Sequence, residues 1–335
     1  MKRIATYAQG AAILCIGIAA YIVQDLIMKI ASGHYPIHQA LALRALTALP
    51  IAVLLIYLSG SLKAIKGSTR PMLPRSMLTV ICNLTYYLAL AALPMATVGA
   101  LYLSAPLMIT ALSVLLLQEK VNAAQWGAVA AGFVGVVLII HPGYGVFDWA
   151  MVLPLLSALT YAGAVILVRK AGGDSDSGVM ALQSQAWLSL TGVMLGIMLG
   201  AGQFASDVQL HPSMSFLLSG WQWPSTRDFI VLLVCGVVGS ASTFLLTKAY
   251  TLSDASSLAP FEYTALLWSI ALGWLVFGNV PPLKDWAGIG LLVGAGFIVC
   301  SQTTEYWGWI VGFGVLAGLG FGFGYSAATP PALKW

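Results

Sequence analysis

The sequence predicts an all-α polytopic membrane protein. Ten transmembrane helices form two inverted five-helix repeats, and an extra hydrophobic segment follows them. Three observations predict this fold class: a low content of charged residues, ten long hydrophobic stretches, and an internal duplication within the 335-residue chain. Each of them also limits what the protein can do.

The composition excludes an ordinary soluble domain. Hydrophobic residues make up 59% of the chain and charged residues 8%, whereas about 25% of a typical soluble domain is charged. With a mean hydropathy of +0.90, the chain needs the lipid bilayer as its solvent. The apolar runs are continuous, which favours helices over the alternating strands of a β-barrel. The net charge of +4 comes from short loops, so we expect no nucleic acid partner.

Ten hydrophobic stretches are each about long enough to cross the ~30 Å hydrocarbon layer as a helix. Most connections are short, but the connection 202–227 is longer, and its Trp221 and Trp223 suit the headgroup zone, so we expect a partly ordered interfacial loop there. The predicted spans are 8–30, 37–58, 76–93, 96–117, 123–141, 148–168, 179–201, 228–249, 255–277 and 286–303.

Lysine and arginine residues predict the orientation, because basic loops stay on the cytoplasmic side of a membrane. The opposite side carries only Arg227 and Lys284 within the ten-span region. We therefore expect a multi-pass protein of the inner (plasma) membrane with a cytoplasmic N-terminus. The basic residues of the predicted cytoplasmic side are Lys2, Arg3, Lys63, Lys66, Arg70, Arg75, Lys120, Arg169, Lys170 and Lys248.

The second five stretches repeat the first five. One constant shift aligns Trp126 with Trp286, and a second shift aligns Lys29 with Lys170. Two repeats with an odd number of spans must cross the membrane in opposite directions. Inverted repeats are typical of secondary transporters, whose substrate site lies near the midplane where the repeats meet. The predicted domains are the first repeat, 1–145, the second repeat, 146–303, and the extra segment, 304–335.

Small residues at every fourth position let membrane helices approach closely. Such surfaces suit either tight packing within the chain or a sliding or homodimer contact. The spaced residues are Gly192, Gly196 and Gly200 in the seventh span, Gly127, Ala131 and Gly135 in the fifth, and Gly290 and Gly294 in the tenth.

Polar side chains inside the spans are the candidate substrate-binding groups, because charge is costly within a membrane. Asp25 can pair with Lys29 four residues on, although Lys29 can instead reach the headgroups. Arg44 needs a carboxylate, a carbonyl or an anionic substrate group, and Pro260 exposes a carbonyl near Glu262. A pocket that combines aromatic and polar groups suits a small organic solute. The predicted binding residues are Asp25, Arg44, Asn83, Tyr86, Tyr102, Gln185, Trp187, Lys248, Glu262 and Tyr263.

Sequence motifs of enzymes, nucleotide binding and metal binding are missing from the chain. The four cysteines lie in hydrophobic stretches without a paired spacing, and the four histidines are dispersed. We therefore expect no enzyme activity, no cofactor and no metal. The rival function is a non-transporting membrane assembly subunit or a channel, although no filter loop is evident.

Three motifs in order resemble the EamA branch of the drug/metabolite transporter superfamily. They are 41–46 around Arg44, 96–121, and 239–263. The chain departs from the family pattern at Asn279, where the second repeat usually carries glutamate. The resemblance implies ten spans and the transport of a small organic metabolite, either amino-acid-like or nucleoside- or vitamin-like, by alternating access. Proton coupling and exchange are both compatible with it.

The segment 306–335 differs from the ten spans in its density of glycine. It resembles a fragment of one helix of oxalate/formate-antiporter-like major facilitator proteins, and the alternative is an accessory helix that packs on the bundle. Because both repeats are complete by residue 303, we expect 304–335 to be dispensable for transport.

Overall fold

The computed structural model describes residues 2–59, 73–118, 123–140, 148–171, 177–205, 210–252 and 264–279, together with residues 261, 286, 287, 289, 290 and 294. All regular structure in these ranges is helical. The helices are α1 (Lys2–Ser32), α2 (Ile37–Ser59), α3 (Leu73–Ala92), α4 (Met95–Tyr102), α5 (Ala105–Leu117), α6 (Ala123–Ile140), α7 (Val152–Ala171, after the 3-10 turn Trp149–Met151), α8 (Ser177–Leu199), α9 (Pro212–Leu218), α10 (Thr226–Leu252) and α11 (Thr264–Phe277).

Six described segments are long and apolar enough to cross a membrane. They are Gln9–Ser32, Ile37–Leu58, Met95–Leu117, Trp149–Leu167, Val179–Leu199 and Thr226–Leu246, and the shorter apolar helices Val129–Ile140 and Thr264–Phe277 accompany them. The chain is thus a multi-pass, all-helical membrane protein, as the sequence predicted. Most of the predicted tenth span and all of the segment 304–335 lie outside the described residues.

The predicted fourth span is two helices rather than one. Proline lacks a backbone N–H and its ring clashes with the carbonyl four residues earlier, and Pro106 stands four residues after Tyr102, where α4 ends. The break is buried, with Leu103 5% and Ser104 0% exposed. Irregular backbone at membrane depth is tolerated where protein surrounds it, so the bundle accommodates the break.

Helices of the two halves pack mainly against each other. The most extensive contacts are those of α1 with α10, α2 with α8 and α10, and α3 with α7. The α2–α10 contact is close because Gly236 has no side chain: a Cβ there would collide with the Arg44 carbonyl oxygen and the Thr47 hydroxyl. The Ser240 hydroxyl donates to the Ala48 carbonyl at 2.7 Å across the same contact.

The small residues of α8 serve packing within the chain. A Cβ on Gly192 would lie 2.6 Å from the Cβ of Leu41, and one on Gly196 would lie 3.3 Å from the ring of Trp221. Both neighbours belong to the same chain, so the predicted tight packing within the chain is confirmed for this motif.

The long connection between α8 and α10 contains helix α9 and is tied to other parts of the chain by hydrogen bonds. The Ser213 hydroxyl donates to the Leu88 carbonyl of α3 at 2.7 Å, and Gln39 of α2 exchanges two hydrogen bonds with the Gln222 backbone. Where the connection reaches α10, the Ser225 backbone N–H donates to the Tyr35 hydroxyl at 3.4 Å, and that hydroxyl donates to Asp228 of α10 at 2.7 Å, which raises the pKa of Tyr35. These ties hold the connection across the ends of the bundle.

His211 supplies a further tie. Its Nε2 lies 3.1 Å from the Asp148 carboxylate at the start of the second half, and its ring lies 4.7 Å from that of Trp149. The connection is therefore fastened on the side of the bundle where α1 and α3 end and α7 begins.

Candidate functional site

Buried and partly buried polar side chains from five helices meet in the interior of the bundle. We call Gln24, Arg44, Tyr87, Gln185 and Thr243 the central polar cluster; they lie on α1, α2, α3, α8 and α10 respectively. The first three belong to the first half of the chain and the last two to the second half. The cluster therefore lies where the halves meet.

Arg44 is the centre of this cluster. Its side chain is 3% exposed, Nη1 donates to the Tyr87 hydroxyl at 3.1 Å, and Nη2 donates to the Gln185 carbonyl oxygen at 3.0 Å. Both acceptors are uncharged, and no described carboxylate forms an ion pair with the guanidinium. Within the part of the chain that the structure describes, the positive charge is held in place by hydrogen bonds to neutral groups and is not neutralised by direct contact.

Gln185 and Gln24 connect Arg44 to the remaining helices. The Gln185 amide donates to the Gly239 carbonyl and the Thr243 hydroxyl, both at 3.4 Å. The Gln24 amide donates to the Tyr87 hydroxyl at 2.6 Å. A Cβ on Gly239 would collide with Gln24 Oε1, so only glycine at this point lets α10 approach the cluster so closely.

Asp25 lies beside the cluster and is 1% exposed. Tyr86, Gln24 and Arg44 are its polar neighbours, yet among the described residues neither carboxylate oxygen accepts a hydrogen bond of ordinary geometry. Unpaired buried polar atoms are uncommon because they lose their hydration without compensation. This carboxyl group therefore calls for a functional explanation.

The predicted pairing of Asp25 with Lys29 is wrong, because Lys29 binds backbone carbonyls at the end of another helix. Lys29 Nζ donates to the carbonyls of Leu90 at 2.6 Å and Leu93 at 2.7 Å, and it lies 5.5 Å from the centre of the Phe277 ring. The last carbonyls of a helix lack partners within the helix. The Lys29 ammonium group donates hydrogen bonds to such carbonyls at the end of α3.

A row of tyrosine rings extends from the cluster. The ring centres are 6.3 Å apart for Tyr87 and Tyr86, 5.3 Å for Tyr86 and Tyr102, and 5.8 Å for Tyr102 and Tyr161. The first two pairs meet edge to face and the third is tilted, and aromatic pairs at these separations attract each other. The row joins α3, α4 and α7 and presents apolar faces beside polar hydroxyl groups.

The structure brings together some of the sequence-predicted residues. Asp25, Arg44, Tyr86 and Gln185 meet at the cluster. Tyr102 lies in the tyrosine row, and Asn83 accepts a hydrogen bond from Tyr21 at 3.1 Å.

The remaining predicted residues lie away from the cluster or outside the described residues. Trp187 is half-buried against the main apolar core. Lys248 has an exposed side chain near the end of α10, beyond the positions where that helix contacts the cluster. Glu262 and Tyr263 lie outside the described residues.

Five residues that sequence reasoning missed belong to the site or its border: Tyr21, Gln24, Tyr87, Tyr161 and Thr243. Gln24 and Tyr87 are sequence neighbours of predicted residues, and this adjacency was the signal that could have found them. In the part of the chain that the structure describes, no three histidine, cysteine, aspartate or glutamate side chains are grouped so as to hold a metal ion.

Comparison with known families gives a match over most of the chain. A model of the EamA-like transporter family matches residues 8–141 and 148–301. A solved crystal structure that is 16% identical superposes with a TM-score of 0.60, over 88% of this chain and 97% of that one. The latter likeness concerns the fold alone.

Several relatives carry named functions. The chain is 29% identical over 208 residues to a riboflavin transporter of Vibrio cholerae serotype O1, a match that covers 62% of this chain and 63%, less than two thirds, of that protein. It is 25% identical over 219 residues to an S-adenosylmethionine uptake transporter of Rickettsia prowazekii, covering 65% and 67% of the two chains. It is 24% identical over 288 residues to a pseudopaline exporter of Pseudomonas aeruginosa, covering 84% and 92%.

Proposed function

We propose that this chain, which belongs to the EamA-like transporter family, is a secondary transporter that carries a small organic metabolite across the inner membrane by alternating access. The observation that carries the proposal is the central polar cluster, where a buried arginine that forms no ion pair with a described carboxylate lies between helices of both halves. A purely structural bundle gains little from such a group, because burying an unpaired charge is costly.

The position of the cluster supports this proposal. Gly239 lies at the middle of α10, and Arg44 lies about a third of the way along α2, so the cluster is near mid-depth of the bundle. The contact of α1 with α10 has a counterpart in the contact of α7 with α3, as two intertwined repeats over 1–145 and 146–303 would produce. Transporters built from inverted repeats bind their substrates at such a position.

The chemistry of the cluster suggests how it binds a substrate. Arg44 offers its charge to an anionic or carbonyl group of the substrate, and Gln185 and Tyr87 exchange their present hydrogen bonds for bonds to the ligand. The row of tyrosines offers aromatic faces to a planar ring. Riboflavin and S-adenosylmethionine, which the names of two relatives mention, both contain heteroaromatic rings and several hydrogen-bonding groups, and we take them as the first candidate substrates.

Untargeted profiling of metabolite uptake and efflux tests the proposed function. Cells that express the chain are compared with cells that carry the empty vector, and riboflavin and S-adenosylmethionine are then measured individually. We expect a saturable change for one metabolite or a few related ones. A flux that does not saturate would indicate a channel, and an unchanged profile at good expression would indicate an assembly subunit.

The proposed orientation gives a separate prediction. The N-terminus and the connections 60–75 and 169–178 should be cytoplasmic, and the connection 202–227 should face the opposite side. A membrane-impermeant maleimide should label Ser206→Cys in intact spheroplasts but label Ser68→Cys and Ser175→Cys only after permeabilisation. Labelling of either of the latter two variants before permeabilisation would reverse the orientation.

A further inference from the structure

We propose that Asp25 binds and releases a coupling proton, and that its protonation decides whether Arg44 is free to bind substrate. This inference rests on the proposed transport function. It gives Asp25 a role different from the substrate contact that the sequence predicted, and it makes the transporter a proton symporter.

The environment of Asp25 favours a bound proton in this conformation. Both carboxylate oxygens are buried, and although Tyr86 and Gln24 are close, neither oxygen receives a hydrogen bond of ordinary geometry from the described residues. An ionised carboxylate in such a place is costly, because burial removes its hydration and no described donor of ordinary geometry or directly paired cation compensates the loss. A neutral carboxylic acid needs one acceptor for its O–H, and the hydroxyl of the neighbouring Tyr86 can accept it.

Among the described residues, Arg44 is the one cationic neighbour of Asp25. Helix α2 contributes Arg44, helix α10 contributes Cys235, and α1 itself contributes Tyr21. The described part of α11 contains no titratable side chain, and Lys29 is engaged by two carbonyls at the end of α3. Helix α3 contributes Cys82, Tyr86 and Tyr87.

This arrangement couples the proton to the substrate through Arg44. With Asp25 protonated, Arg44 is held by two neutral acceptors, Tyr87 and Gln185, which a negatively polarised substrate group can replace. When the O–H bond of Asp25 breaks and the proton passes to water, the new carboxylate attracts the guanidinium and competes with the substrate. Substrate therefore binds while Asp25 is protonated, and it leaves after Asp25 has released its proton. One proton accompanies each substrate molecule.

Infrared spectroscopy of the wild-type protein in lipid nanodiscs tests the protonation state without a substrate. We expect the C=O band of a protonated carboxylic acid at neutral pH. The band should be missing in Asp25→Asn and retained in Asp148→Asn, a matched change of a carboxylate at the end of the bundle. If the wild-type protein lacks this band, or if Asp25→Asn keeps it, the inference is wrong.

Proteoliposomes supplied with external substrate, the metabolite identified by profiling, test the coupling. One proton per substrate allows an inward gradient of one pH unit to drive up to about tenfold accumulation. We expect this accumulation in the wild type and in Asp148→Asn, and its loss in Asp25→Asn, which should still exchange labelled for unlabelled substrate.

Two outcomes would overturn the inference: gradient-driven accumulation that persists in Asp25→Asn, or loss of exchange as well in a monodisperse Asp25→Asn protein, which would make Asp25 a substrate ligand. A wild-type protein that transports nothing would refute the proposed function, while the infrared result would still decide the state of Asp25.

Discussion

Replacing Arg44 by glutamine should lower the initial rate of transport about ten- to a hundredfold while the protein remains folded. A hydrogen bond to a charged group contributes about 1.5–3 kcal/mol, and about 1.36 kcal/mol corresponds to a factor of ten in rate. Glutamine keeps a polar side chain beside Tyr87 and Gln185 but removes the charge that we propose meets the substrate. The measurement is the initial rate of substrate uptake into proteoliposomes at equal protein content.

Two control variants separate the role of the charge from that of the fold. Arg44→Lys keeps a positive charge but lacks the planar fork that reaches two acceptors, so an intermediate rate is expected. Arg75→Gln removes an arginine that also joins α3 to α8, through the Met180 carbonyl and the Ser184 hydroxyl, both at 3.2 Å, but away from the cluster. Its transport rate should stay close to that of the wild type. A monodisperse Arg44→Gln protein that transports at the wild-type rate would exclude Arg44 from the substrate site.

Replacing Gly236 by alanine should lower the thermal stability of the protein substantially. The new Cβ would collide with the Arg44 carbonyl oxygen and the Thr47 hydroxyl, and would lie 3.0 Å from the Ala48 nitrogen. Because backbone atoms cannot move aside as a flexible side chain can, α10 must shift away from α2. Overpacking of this kind costs about 1–3 kcal/mol, and here it also displaces the helix that contacts Gln185.

The matched control for Gly236→Ala is Gly127→Ala. Gly127 also lies within a helix, α6, but no described atom would approach its Cβ within 4 Å. Alanine is about 1 kcal/mol more favourable than glycine in a helix interior, so this variant should equal or exceed the wild type in stability. Size-exclusion chromatography in detergent after heating compares the two variants. Equal stability of Gly236→Ala and Gly127→Ala would contradict the close α2–α10 contact.

The sequence predicted the charged members of the site because charge within a span is rare and costly. Asp25 and Arg44 were recognised on that basis, and the structure places both in the interior between the halves. Gln24 and Tyr87 were missed because neutral polar residues are common in membrane helices. A helix that is apolar on most sides gives little indication of which face points inward.

Other features depended on tertiary contacts that the sequence does not display. Lys29 has backbone carbonyls of another helix as partners, and carbonyls leave no mark in a sequence pattern. Proline was an ambiguous signal as well, since α2 continues through Pro50, whereas Pro106 separates α4 from α5. The spaced glycines of α8 indicated a close contact, but their neighbours on α2 and on the long connection became evident only from the structure.

Substrate protection of a cysteine introduced at Thr243 tests the central claim most directly. Thr243 lies 3.4 Å from the Gln185 amide, and the test uses a transport-active variant whose native cysteines are replaced by alanine. We predict that saturating substrate slows the alkylation of Thr243→Cys by a maleimide and leaves the alkylation of Phe204→Cys, an exposed position outside the cluster, unchanged. An unchanged rate at Thr243→Cys, in a protein that still transports the same substrate, would contradict the account and place the substrate site elsewhere.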